Sequence, residues 1–353
     1  MKKGMKKIVA LSAVSAMAVA MFAGCGSSSS SSSSAASTSS SSSAASTSSS
    51  ASSESSEASS SSSSSTASVS KASKEYKIAI SHQHMTNAFQ NSVTEGADEA
   101  AKALGVTVKH FDANQDVQQQ ISDIEQCISD GYDAIIFEPV DPAGLVDTAQ
   151  KVVDAGIVCI NYVSKIDGDE DIVNGYAGAS NTEAGEKEMQ AVCDLLDGKG
   201  NIAILTGPDG DAGGLLRYEG YQNILAKYPD VKVVVEAAAD WDTTKAMETV
   251  ESWGSNYELD AIVCENDGMA VGAANALGED SGVIITGVDA SDDGIEAIES
   301  GLQTGTVSQD AVQQGYLAVQ LAVDCLEGKV TSYTEYLVDN VWVTKDNVAD
   351  LAK

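Results

Sequence analysis

Positive charge is what this chain has least of. Its 353 residues carry 20 Lys and Arg against 52 Asp and Glu, a formal charge of -32. A surface of that sign repels phosphate backbones and anionic headgroups, which excludes nucleic acid as a partner. Nineteen of the basic residues are lysines, so Arg217 is the only arginine. Catalytic signatures are missing too. No G-x-S-x-G elbow occurs, and the serines crowd into one low-complexity stretch, so a hydrolase has no visible nucleophile and no enzymatic activity is expected. His82 and His84, two apart, could face one way from a strand, but no third metal ligand lies close by. Asp167, Asp169 and Asp171 mimic the start of a calcium loop, yet Ile172 and Gly178 stand where its glycine and glutamate belong, so a solvated turn is expected. The glycine-rich Thr206 to Gly214 lacks the Lys-Ser/Thr ending of a phosphate loop, and Asp209 and Asp211 would repel a phosphate. No metal or cofactor is expected. Five cysteines follow Cys25, an odd number, and Cys159 and Cys264 fall inside apolar strand patterns. They read as small buried hydrophobes rather than disulfides.

The first 24 residues have the form of a secretory leader: lysines, then an apolar run from Ile8 to Phe22 that is shorter than the roughly 20 residues a spanning helix needs. Ala23-Gly24-Cys25 resembles a bacterial lipobox, with Phe22 where Leu is usual, which would make Cys25 the lipidated mature N-terminus. Residues 25–75 are mainly Ser with Ala and Thr. Such a stretch cannot bury enough apolar surface to offset its ordering entropy, and it reads as a flexible tether or a wall spacer outside the cell.

From Tyr76 onward, strand and helix patterns alternate without a second low-complexity break. Short apolar runs at 76–81, 106–111, 134–137, 156–162, 201–206, 231–237, 261–264 and 283–286 predict strands, and the amphipathic segments between them predict helices. That alternation is α/β with parallel sheets, and about 280 residues suit two lobes. The strand, polar loop and long helix of 76–104 recur at 201–225, a sign of internal duplication. In such sheets ligands bind outside the carboxyl ends of the strands. Glu265-Asn266-Asp267 and Asp289 stand there, so Asn266 and Asp289 are candidates to share one ligand's hydroxyls. Trp241, between Asp240 and Asp242 at another strand end, suits a stacking wall better than a core. Keeping a single Arg217 among lysines suggests a planar, bidentate duty, with a surface or interlobe ion pair as the alternative.

The segments KIAISHQHMTNAFQNSVTEGADEAAKALG, DGYDAIIFEPVDPAGLVDTAQKVVDAGI, LLRYEGYQNIL, AADWD, CENDGMAVGAANALG, ITGVDASDDGIEAIESG and GTVSQDAVQQGYLAV, in this order, resemble the type I periplasmic sugar-binding proteins from about Lys77 to Glu327. The resemblance implies two Rossmann-like parallel-sheet lobes joined by a hinge, 76–178 plus 310–338 and 179–309 plus 339–353. It implies a monomer that closes on one small neutral sugar or polyol and hands it to an ABC transporter permease. Position by position it implies ligand contacts from Gln83, Asn87, Phe89, Arg217, Trp241, Asn266, Asp289 and Gln309. The family's Asp/Asn-Arg pair falls here on Val163 and Ser164, leaving Asn161 or Ser164 to take over its work. Loss of that arginine, with His82, His84 and Gln90 in the first loop, points away from ribose itself. Within the fold, a receptor for a furanose-type signal or a nucleoside is the alternative.

Overall fold

The computed structural model describes residues 71–278 and 281–351. The leader, Cys25 and the tether as far as residue 70 lie outside them. In chain order the strands are β1 (Lys77–His82), β2 (Thr107–Asp112), β3 (Ala134–Phe137), β4 (Val158–Tyr162), β5 (Gly175–Ala179), β6 (Lys199–Thr206), β7 (Asp230–Ala238), β8 (Ala261–Cys264), β9 (Ile284–Asp289), β10 (Gly305–Ser308), β11 (Thr334–Val338) and β12 (Val341–Thr344). The helices are α1 (Ala88–Leu104), α2 (Val117–Ser129), α3 (Val146–Asp154), α4 (Asp169–Ile172), α5 (Asn181–Leu195), α6 (Ala212–Leu225), α7 (Thr243–Trp253), α8 (Asp267–Leu277), α9 (Asp292–Ser300) and α10 (Ala311–Leu326).

Two α/β lobes result, each around a six-stranded sheet. The first sheet runs β2-β1-β3-β4-β5-β11 and the second β7-β6-β8-β9-β10-β12. The first five strands of each lobe therefore take the same spatial order, so the repeat legible in the sequence is a repeat of topology. All pairings are parallel except β10 with β12. Helices cover both faces, and the central strands β3 (AIIF) and β8 (AIVC) are buried along their whole length. These two strands coincide with the apolar runs to the residue. β5, reading GYAGA, has no β-branched residue and carried no strand signal.

The chain passes between the sheets three times: at Ser180, at Gln309-Asp310 and at Asp339-Asn340. Two crossings are tied together, since Asn340 Nδ2 donates to the Ser180 carbonyl at 2.9 Å. Each lobe has helices that meet backbone to backbone, α1 with α10 in the first, and α5 with α6 and α7 with α8 in the second. A Cβ on Gly96 of α1 would lie 1.8 Å from the Val312 carbonyl oxygen of α10, and one on Gly185 of α5 would lie 2.1 Å from the Arg217 carbonyl oxygen of α6. Glycine is required at both by close approach. The second pair fixes where Arg217 stands.

The acidic run expected as a solvated turn is corrected in part: it forms the single helical turn α4, and Asp169 is buried, accepting from the Tyr333 hydroxyl. Burial beneath Tyr333 is a tertiary event that an isolated D-x-D-x-D run does not announce. Cys127, Cys159, Cys193 and Cys264 are free and buried, and Cys325 is free and half-buried.

Candidate functional site

The carboxyl ends of both sheets meet at one narrow cavity of about 40 Å³. The first lobe lines it with Gln83 and His84 after β1, Asn87, Phe89 and Gln90 at the start of α1, Glu138 after β3, and Val163 and Ser164 after β4. The second contributes Asp211, Gly213, Arg217, Trp241, Asn266 and Asp289. The cavity opens past His84, Asn87, Phe89, Trp241, Asn266 and Asp289 into a hollow of about 320 Å³, the size of a small-molecule site. The lobes touch across it, where Gln83 Nε2 donates to Asp211 Oδ2 at 2.7 Å. A separate hollow of about 360 Å³, around Pro208, Leu215 and Tyr218, is lined by the second lobe alone.

Arg217 is the hub. Its Nε donates to Asn181 Oδ1 at 3.0 Å, Nη2 to Gln309 Oε1 at 2.7 Å, and Nη1 to the Glu265 carbonyl oxygen. Three of the five guanidinium N–H groups are thereby spent on protein acceptors, which leaves two. The guanidinium carbon stands 5.5 Å from the centre of the Trp241 ring, within cation–π range. Trp241 has room because Gly207 lacks a Cβ, which would lie 2.1 Å from the indole. The indole both lines the cavity and packs on the second-lobe core.

Asp289 ends β9 with φ at +122°, a conformation L residues avoid, and Ala290 follows at +54°. Strain of this kind persists where the surroundings impose it, commonly at binding sites. The Asp289 carboxylate lies 4.0 Å from Arg217 Nη2 with 8% of its side chain exposed, and among the described residues nothing donates a hydrogen bond to it. Burial lifts its pKa well above the usual carboxylate range, with Arg217 pulling the other way. Asn266 caps α8: its Oδ1 accepts from Met269 N at 2.9 Å, so its NH₂ is the end left over. Asn87 caps α1 in the same manner through Gln90 N.

On the first lobe, Glu138 accepts from Gln90 Nε2 at 2.6 Å, and burial together with Asp211 raises its pKa to about 8. Behind it the Gln90 Oε1 meets His82 Nδ1, and His82 Nε2 meets His110 at 2.7 Å. Burial first, and His110 second, push His82 down to about 4, so it sits neutral in the wall. His84 lines the cavity and burial lowers its pKa as well.

Gln83, Asn87, Phe89, Arg217, Trp241, Asn266 and Asp289 thus share one cavity. Asn161 and Gln309 do not line it. Asn161 donates to the Phe137 carbonyl at 3.2 Å and accepts from Ile166 N at 3.3 Å, holding the turn after β4, and Ser164 of that turn reaches the cavity instead. Gln309 acts one step back, by gripping Arg217 from a crossing segment. Sequence reasoning missed Glu138 and Asn181 as neighbours of the cavity. Glu138 follows a buried strand, the same signal that singled out Asn266.

A periplasmic binding protein domain profile matches residues 78–330. The chain belongs to the periplasmic binding protein family. Among related type I periplasmic binding proteins, the xylitol-binding protein of Mycolicibacterium smegmatis is 35% identical over 267 residues, 74% of this chain and 75% of that protein. The D-allose-binding periplasmic protein of Escherichia coli is 30% identical, covering 77% and 92%. Among solved structures, a solute-binding protein of an ABC transporter from Bacillus halodurans with bound myo-inositol superposes with a TM-score of 0.74 at 33% identity, over 79% of this chain and 98% of that one. No helix among the described residues is long and apolar enough to cross a membrane.

Proposed function

We propose that this periplasmic binding protein captures a monosaccharide or similar polyol between its lobes and delivers it to an ABC transporter permease. The observation that supports this most is the convergence of planar amides, a guanidinium, carboxyls and an indole from opposite sheets on one cavity. Hydroxyls donate and accept together while sugar C–H faces are apolar, so this mixture of groups suits such a ligand. The names of the relatives agree: they bind xylitol, allose and myo-inositol.

The mechanism is differential binding. A ligand held by Asn87 and Phe89 of one lobe and by Arg217, Asn266 and Asp289 of the other makes its full set of contacts only when the lobes are shut. It therefore shifts the equilibrium toward the closed form that a permease can distinguish. The lobes divide at about residues 178 and 310, with 339–353 returning to the second. Cys25 carries the lipid, the serine tether holds the domain at the outer face of the membrane, and the protein works as a monomer without catalysis. Thermal-shift screening against pentoses, hexoses, alditols and cyclitols, followed by calorimetry, tests the reading. A polyol that binds in the micromolar range or tighter and loses at least tenfold in Trp241→Ala is the expected result. Absence of any stabilising polyol refutes it.

A further inference from the structure

Three carboxyl groups line the inner cavity, Glu138, Asp211 and Asp289, and one cation faces them, Arg217. Among the described residues no lysine lines this cavity or the hollow it opens into. The guanidinium has already spent three N–H groups on Asn181, Gln309 and the Glu265 carbonyl, and of the three cavity carboxyls only Asp289 lies within 4.0 Å of it. Glu138 accepts from Gln90 Nε2 at 2.6 Å, and Asp211 accepts from Gln83 Nε2 at 2.7 Å and, as the N-cap of α6, from Gly214 N at 2.9 Å, so neither has a cationic partner among the described residues. Two carboxyls from opposite lobes, facing one narrow cavity with no cation in salt-bridge reach of either among the described residues, form an unbalanced site, because a buried charge without a counter-charge is costly.

We infer that the ligand is a polyol bearing an amino group, whose ammonium lies against Glu138 and Asp211 while its hydroxyls engage Arg217, Asn266 and Asn87. The inference rests on the polyol reading above and narrows it. Without a cation the imbalance is relieved by a proton: Glu138 holds one up to about pH 8 because of burial and of Asp211. An ammonium reverses that preference, so binding converts the carboxylic acid and the free ammonium ion into a carboxylate–ammonium pair and releases one proton to solvent.

The groups facing Glu138 are Asp211 and Arg217 from the second lobe and Tyr162 and Tyr176 from its own, with His84 elsewhere on the cavity wall. Burial pushes both phenols upward and His84 downward, so none of these three changes charge between pH 7 and 8. Affinity for the amino polyol therefore rises with pH up to about 8, by as much as tenfold per unit while one proton is released. A neutral polyol, which can accept the Glu138 proton, gains nothing over that range.

The test is calorimetry on the mature chain with matched pairs, such as myo-inositol and an aminodeoxyinositol, an alditol and its amino counterpart, each in two buffers of different ionisation enthalpy. The expected result is an amino polyol bound at least tenfold more tightly than its hydroxyl partner, with a heat that depends on the buffer. Glu138→Gln removes both the preference and the buffer dependence, and its melting curve without ligand reports folding separately. A neutral polyol bound as tightly as its amino counterpart, with no proton released, overturns this inference and leaves the polyol reading standing. Failure of neutral and amino members alike overturns both.

Discussion

Replacing Arg217 with Lys keeps the charge and removes the fork. In the structure three acceptors surround the guanidinium: Asn181 Oδ1, the Glu265 carbonyl and Gln309 Oε1. An ammonium on a flexible stem is a point charge and cannot span three acceptors placed around a plane. If it retains one, two buried acceptors lose their partners at about 1–3 kcal/mol each. Gln309 Nε2 still reaches Asn181 Oδ1 at 3.3 Å, which offsets part of the loss at Asn181. A destabilisation of about 3 kcal/mol is the result, and for a domain of this size that lowers Tm by roughly 6–12 °C. Differential scanning calorimetry of the unliganded protein reads it directly. Because Gln309 belongs to a crossing segment and Glu265 to the second lobe, ligand affinity falls at least tenfold as well. A Lys variant that melts within 2 °C of the parent refutes the claim that the three acceptors depend on the planar group.

Other outcomes follow from the same geometry. Gly185→Ala puts a methyl 2.1 Å from the Arg217 carbonyl oxygen, and the shift of α6 should cost about 1–3 kcal/mol in urea unfolding. Asp289→Ala weakens ligand binding more than tenfold in calorimetry while leaving the unliganded Tm unchanged or higher at pH 8, since the carboxyl is buried and accepts no hydrogen bond among the described residues. Burial raises Glu265 to about 8, above its ordinary value, so the folded protein binds this proton more tightly than the unfolded chain. Its contribution to stability is present at low pH and is lost as pH rises toward 8. Glu265→Gln should flatten the decline of Tm between pH 5 and 9, and an unchanged slope would exclude Glu265 as a source.

What could be read from residues alone follows how local each signal is. β3 and β8 are continuous apolar runs, and a strand buried on both faces leaves that mark wherever it occurs. Asn266 and Asp289 were legible because the rule for strand ends in parallel sheets needs only the next residue. Arg217 stood out by composition. Asn161 shows where this stops: its amide is spent on the Phe137 carbonyl and Ile166 N, partners set by a turn that no periodicity describes. Gln309 likewise faces Arg217 rather than the cavity, which depends on the path of a crossing segment. Glu138 and Asp211, 73 apart in sequence and in different lobes, reach one cavity only through the tertiary fold. β11 and β12 were missed because edge strands after a long helix carry mixed, half-exposed patterns.

The position of a bound polyol is the most direct test of binding between the lobes. A crystal structure with the polyol that raises Tm most should place it between the lobes, touching Arg217, Asn266 and Asp289 on one side and Asn87 and Phe89 on the other. A polyol seated instead in the hollow around Pro208, Leu215 and Tyr218, with the interlobe cavity filled only by water, would contradict it.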